Sequence, residues 1–316
     1  MSSRFQAPMS PLRPAVAGAR SWEWPTIGVA LVLYGGFGLL TWYWQDLPVW
    51  LVAPVGAVLL AWHGSLQHET IHDHPTPFRR LNALLGAPPL ALWLPYGLYR
   101  ETHLGHHRHT ARDLTDPDMD PESYYLRPGA LAGATRLKRL FLHLHATLAG
   151  RLLLGPAVLI ARCWIGEAHR FAGDRSCRRI WWRHCLAVGL VVVWANGVCH
   201  IPIAAYLGLM VYPSISLGLL RSFVEHRAAP DPQHRTAVVE AGPFWGLLFL
   251  NNNLHVVHHR HPGLPWYRLP AAWRALRPTL EMAPALLFPG GYAEIFVRYL
   301  FVPTGPIEHP GAGTTS

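Results

Sequence analysis

Residues 25–62 read PTIGVALVLYGGFGLLTWYWQDLPVWLVAPVGAVLLAW, and Asp46 is their only charged member. A bilayer core of about 30 Å takes roughly 20 helical residues per crossing, so the run fits a tight two-helix hairpin. The turn falls near residues 45–48, flanked by Trp42, Trp44 and Trp50 as in an interfacial aromatic belt. Nothing forces the second helix to stop at the membrane surface. Continued past Trp62, it would lift His68 and His72 out of the lipid on one stripe, because residues four apart share a helix face.

Downstream, residues 79–99 are apolar but broken by Pro88, Pro89 and Pro95. A full crossing is the alternative to a surface or re-entrant segment, which is expected because the histidine clusters on either side of it must end on the same side of the membrane. Residues 140–164 interrupt their apolar pattern with His143, His145, Arg151 and Arg162 and read as interfacial. Residues 185–220 carry no charge; they read as two short or tilted helices joined near 196–202, returning the chain at Arg221 and His226. A surface helix is expected around 271–276. The expected fold is all-α: a polytopic membrane protein with about four transmembrane helices and a cytoplasmic helical cap. Residues 25–302 would form this domain, with disordered tails at 1–24 and 303–316.

Composition agrees. The chain is 51% hydrophobic and 14% charged with 14 tryptophans, which suits a membrane protein better than a soluble enzyme. The net charge of +9 comes without a zinc-finger, RNP-like or basic-helix pattern, so membrane-surface anchoring is expected and a nucleic-acid partner is not. None of the 27 Lys and Arg residues falls in 25–62 or 185–220, which contain both outer turns. The positive-inside rule then places the termini and the cap in the cytoplasm, here of a bacterial inner membrane. No cleavable signal peptide is evident, so the first apolar segment would direct insertion. Cys163, Cys177, Cys185 and Cys199 lack any metal or disulfide spacing and read as ordinary thiols.

The cap carries three histidine clusters: His68 and His72; His103, His106 and His107; His255, His258 and His259. Helical spacing would aim each cluster one way, with Asn251 and Asn252 one turn before His255. Imidazole suits zinc, copper, iron and nickel alike. A single zinc takes about four ligands, so eight histidines point to two metals, and His226 makes nine. Two divalent ions held by neutral rings keep about four positive charges, so carboxylates accepting the other ring N–H are needed. Glu69, Glu101, Asp113, Asp116 and Glu225 are the candidates. His68-Glu69-Thr70-Ile71-His72 also matches the H-E-x-x-H pattern of zinc hydrolases, but that reading leaves both H-x-x-H-H clusters without work. A metal transporter or sensor would place its ligands at the membrane midplane, where this chain has almost none. His63, His74, His109 and His261 read as adjacent extras, and His200 lies at an outer turn.

On these residues the chain resembles the membrane fatty acid desaturase family, which is recognised by three histidine boxes. The resemblance runs from about residue 50 to 270 and includes the run Pro-Trp-Tyr-Arg-Leu-Pro at 265–270. It implies a non-haem di-iron centre of two Fe ions that uses O2 as co-substrate. Electrons would come from ferredoxin, rubredoxin or a small haem protein with its reductase, and the substrate would be aliphatic, met in the lipid bilayer. An additional histidine after the last membrane helix is usual in the family; His226 stands there. Some members place a water-linked asparagine one turn before it. Ser222 occupies that position here, which directs attention to Asn251 or Asn252. The third box opens on His255 rather than Gln and no haem domain is fused, which argues against the front-end branch. The expected activity is insertion of a C=C bond into a fatty acyl chain or similar aliphatic substrate. Hydroxylation or ketolation of a lipid or carotenoid, and desaturation of an amino-acid ether such as dihydrorhizobitoxine, are the alternatives; an H-E-x-x-H hydrolase is a remote one.

Overall fold

The structure, a computed structural model, describes residues 21–108, 113–229, 234–280 and 282–311. Most of the expected N-terminal tail, residues 312–316 and His109 lie outside the described residues. Helices α1 (Trp24–Trp42) and α2 (Val49–Ile71) form the predicted hairpin. Their side chains are apolar all round, with Leu33, Phe37 and Val52 buried while Leu31, Leu39 and Trp50 face outward. This is the pattern of helices with protein on one side and lipid on the other. Helix α2 carries through to Ile71, so His68 sits in its last turn and His72 caps it.

After α3 (Arg79–Gly86) and α4 (Tyr96–Arg108) come three interfacial helices, α5 (Arg136–His145), α6 (Leu148–Leu153) and α7 (Gly155–Gly173). Helix α8 (Arg175–Val192) runs on through a π-helical turn at Val193–Val198. The chain breaks at 199–202 and returns as α9 (Ile203–Ala205), a second π-helical stretch (Tyr206–Val211) and α10 (Tyr212–Ser222). Among the described residues, three helices are long and apolar enough to cross a membrane: Trp24–Trp42, Val49–Ile71 and Ile203–Ser222. The fourth expected crossing differs, because its helix starts back at Arg175 and carries Arg178, Arg179 and Arg183 in its first half. Its far end still reaches the α1–α2 turn, where Trp194 stacks on Trp42 and donates Nε1–H to Thr41 Oγ1 at 3.0 Å. At the opposite end, the Glu23 amide donates to Pro75 O at 2.9 Å, which brings the start of α1 beside the segment following α2.

The remaining chain folds around the ends of α2 and α10. It comprises a two-residue parallel pair, β1 (Val238–Val239) with β2 (Leu287–Phe288), and helices α11 (Pro243–Leu248), α12 (His255–Arg260), α13 (Leu269–Leu276) and α14 (Gly291–Tyr299). The α13 helix stands where a surface helix was expected. Residues 303–311, read from sequence as tail, lie along the loop after α4, with the Leu126 amide donating to Ile307 O at 2.9 Å and the His309 amide to Leu126 O at 2.8 Å.

The segment between α3 and α4 is re-entrant. Leu90 is buried in the same core as Phe37, Leu59 and Met210, between membrane helices. Non-helical backbone at such depth is tolerated only where protein satisfies its polar groups. Three prolines reduce the number of N–H groups here, and side chains from three helices cover carbonyls of the segment, with a fourth reaching the end of α3. Tyr206 Oη donates to Leu90 O at 2.6 Å, His184 Nε2 lies 2.9 Å from Leu92 O, and Trp164 Nε1–H donates to Trp93 O at 3.0 Å. Tyr34 donates to Leu85 O in the same way. Tyr206→Phe would orphan the Leu90 carbonyl, so a loss of about 1–3 kcal/mol of stability is expected, read as a lower unfolding midpoint in detergent. An unchanged midpoint would mean that packing alone holds the loop.

Candidate metal centre

Nine histidine rings meet where α2, α4, α12 and the turn after α10 converge, and they sort into two groups. His68, His72, His103, His107 and His258 form one; His106, His226, His255 and His259 form the other. Helix geometry explains the division. Residues four apart stack on one stripe, whereas a residue three along is turned to the neighbouring stripe. The i, i+4 pairs His68/His72, His103/His107 and His255/His259 therefore each enter one group. His106 and His258, the middle members of the H-x-x-H-H motifs, cross to the other group. The sequence reading placed each cluster on a single face; in the fold His68 and His72 stay together, while each H-x-x-H-H motif contributes to both groups.

The second group is a closed cycle of Nε2 atoms. His106 to His226 is 3.0 Å, His226 to His255 3.1 Å, His255 to His259 3.1 Å and His259 to His106 3.3 Å. Four nitrogens at those separations surround a point about 2 Å from each, the length of a metal–imidazole bond. In the first group His72 to His103 is 3.0 Å, His103 to His107 3.1 Å and His107 to His258 2.9 Å.

The other ring nitrogens tell which atoms carry protons. His106 Nδ1 is 2.7 Å from Asp120 Oδ2, His103 Nδ1 3.1 Å from Glu122 Oε1, and His255 Nδ1 3.1 Å from Asn252 Oδ1. His226 Nδ1 faces the Arg235 carbonyl at 3.4 Å. Each partner is an acceptor, so each Nδ1 donates and each Nε2 is left as a bare lone pair. Bare lone pairs crowded at about 3 Å require a cation between them; the residues present fit a metal in both groups.

Electrostatics agree with neutral ligands. Burial, then the charge of neighbouring rings, holds His72, His226, His255, His258 and His259 well below the ordinary imidazole value. The same causes take His107 down to about 3. His106 goes the other way: burial lowers it, but the Asp120 bond and the charges of Glu122, Asp120 and Glu225 outweigh burial. Glu122 is held below the usual carboxylate range, since the charge and hydrogen bond of His103 overcome its burial.

The supporting shell was only partly foreseen. Glu69 Oε1 lies 3.8 Å from His68 Nδ1 while Oε2 accepts from the Trp266 amide at 3.1 Å. Glu225 Oε1 lies 3.6 Å from His255 Nδ1 and 3.4 Å from Arg221. Glu101 is not brought to the rings: it is drawn away by Arg170, at 3.3 Å. Asp113 caps Thr115 and meets Arg235 and His309, and Asp116 accepts from the Asp118 and Met119 amides. Asp120 and Glu122, which the sequence reading passed over, take the expected role. Only their place at the end of the same acidic loop hints at it.

Asn251 and Asn252 also part company. Helix α12 begins at His255, so neither asparagine lies one helical turn before it. Leu250 (φ +47°) and Asn251 (φ +55°) adopt the left-handed conformation, which breaks the helix and suits asparagine. Asn251 spends its side chain on the turn, donating Nδ2–H to Trp266 O at 3.1 Å. Asn252 is thereby swung inward between His255 and His68, with its Nδ2 3.5 Å from His68 Nε2.

Asp120 is fully buried against His106. Asp120→Ala is expected to weaken metal binding by about 10–100-fold, measured by chelator competition on the full-length protein. Unchanged affinity would show that His106 orients itself without the carboxylate.

A family model described as fatty acid desaturase matches residues 46–291. No curated protein matches the chain significantly. The match spans the hairpin turn, all three histidine clusters and His226, so the chain belongs to the fatty acid desaturase family.

Proposed function

We propose that the chain is a membrane-bound, O2-dependent oxidoreductase that converts a CH2–CH2 unit of an aliphatic substrate into a C=C bond. The observation that carries the reading is the juxtaposition of the two histidine groups with a cavity of about 680 Å³ whose inner wall includes Glu122, Glu225 and His226. The volume lies in the range of small-ligand sites. Away from that inner wall the cavity runs between α2, α4, α7, α10 and the re-entrant loop, past Leu60, Leu90, Leu98, Ile215 and Leu219. Such walls accept methylene groups and exclude water.

Two iron ions, held by His68, His72, His103, His107 and His258 and by His106, His226, His255 and His259, would supply the oxidising power that side chains lack. The rings on rigid helix ends keep the oxidant fixed relative to the cavity, so a chain lying in it presents one stretch of carbons. Asp120, Glu122, Glu69 and Glu225 offset the ions' charge, while Asn252 orients His255. A small electron carrier, such as a ferredoxin, rubredoxin or haem protein with its reductase, would dock at the cap. The lysine and arginine distribution supports a cytoplasmic cap, and a bacterial inner membrane is the proposed setting.

The test is expression in a host without desaturases, with a reductase system, followed by mass profiling of lipids and small amphiphiles. A loss of two hydrogens that needs O2 and reductant is expected. His107→Ala and His258→Ala should each abolish it while leaving the protein in the membrane fraction. A gain of one oxygen would replace desaturation by hydroxylation at the same centre. Turnover without O2, or in either variant, would overturn the reading.

A further inference from the structure

The cavity is lined by four arginines, Arg151, Arg162, Arg170 and Arg221, and by three carboxylates. The carboxylates are already engaged. Glu122 holds His103 and Glu225 faces Arg221. Buried Glu167 accepts from Arg170 at 2.8 Å and from Trp181 Nε1–H at 2.9 Å. Arg170 is further met by Glu101 and Asp174. Two of the four cations are therefore neutralised by acids. Arg151 and Arg162 are not: no ion pair joins either to a carboxylate among the described residues.

Their surroundings sharpen the point. The Arg151 guanidinium lies over the Tyr124 ring, 4.9 Å from its centroid, and over Phe223 at 6.0 Å. Its Nε is sealed from solvent and has no hydrogen-bond partner among the described residues. An arginine stays charged even so, and a desolvated guanidinium without acceptors leaves strong donors unused. Arg162, on α7, and His145, the last residue of α5, line the same cavity. They lie close enough to Arg151 that burial and mutual repulsion push both Arg151 and His145 down, His145 to about 4. A cluster of like charge at a cavity wall is complementary to an anion. It is also near the centre, since Tyr124, under Arg151, donates its hydroxyl to the His226 carbonyl at 2.7 Å.

We infer that Arg151 and Arg162, with His145 beside them, form an anion-binding subsite that holds a carboxylate or phosphate end of the aliphatic substrate. This rests on the oxidoreductase reading for its meaning, but its test does not. The guanidinium groups anchor the charged end while the apolar walls take the chain, so the subsite would set which carbons lie beside the metal groups. Arg170 instead ties α7 to α4 through Glu101, and Arg221 pairs with Glu225 four residues on, so each is already matched to an acid.

The test is equilibrium binding to the full-length, metal-loaded protein in a neutral detergent, with three probes of equal chain length: hexadecanoate, hexadecyl phosphate and hexadecanol. At least one anion should bind about tenfold or more tightly than the alcohol, as charge-assisted hydrogen bonds require. Which anion binds better distinguishes a free carboxylate from a phosphate headgroup. Arg162→Gln, on an exposed position, and Arg151→Gln should each remove most of that preference while leaving hexadecanol binding unchanged; Arg162→Lys should keep part of it. Equal binding of all three probes by the unaltered protein would overturn the subsite, as would equal loss of all three in Arg162→Gln. Product analysis is read separately. Oxygen-dependent conversion without anion preference would sink the subsite alone; anion preference without conversion would sink the oxidoreductase reading alone.

Discussion

Lone pairs aimed at the same point repel one another, and this protein gathers nine histidine rings about two points. The cycle of His106, His226, His255 and His259 holds its Nε2 atoms 3.0–3.3 Å apart. Rings whose Nδ1 donates elsewhere present lone pairs there, and a cation between them relieves the repulsion. The rest of the molecule supplies the restraint. Helix ends fix the ring positions, and acceptors on the far nitrogens fix the tautomers. Deep burial keeps water from protonating the rings.

That restraint comes from elements of very different kinds. Helix α2 is anchored in the lipid and simply extends far enough to carry His68 and His72. Helix α4 depends on the acidic loop that follows it, because Asp120 and Glu122 reach back to His106 and His103. Helix α12 depends on a left-handed turn that places Asn252 where a helix could not. His226 stands in extended chain, bridged to Thr236 and held through its carbonyl by Tyr124. Four local solutions meet at one place, so damage to any of them loosens rings contributed by the others.

What was legible in the sequence was whatever depends on local geometry. The hairpin at 25–62 follows from hydropathy and length, and the co-stacking of His68 with His72 follows from helical period. Proline content, with the need to keep the flanking histidine clusters on one side, foretold that residues 79–99 would not cross. What was hidden depends on long-range closure. Nothing in the order Asp113, Asp116, Asp118, Asp120, Glu122 reveals which acid turns toward α4, since loop acids have no period. The asparagines before His255 were read with a helical period, and two left-handed residues invalidate it. The two helices read in residues 185–220 are present with their break at 199–202; what hydropathy did not show is that the first of them begins as far back as Arg175, in arginine-rich chain.

The re-entrant loop ties the metal groups to the cavity. A fourth full crossing at 79–99 would have filled the space between α2, α7 and α10 with side chains. A wholly surface segment would have opened that space to lipid. The loop instead enters as far as Leu90, is pinned there by Tyr206, and leaves Leu94 and Leu98 to form one wall. Three of its carbonyls meet side chains of three different helices, so it cannot slide without breaking several of those bonds at once. The cavity thus has a boundary as fixed as the histidine rings. Under the proposed function that would matter, because selecting one carbon among many similar ones requires both the oxidant and the chain to be held, and the loop would hold the chain's side of the pair.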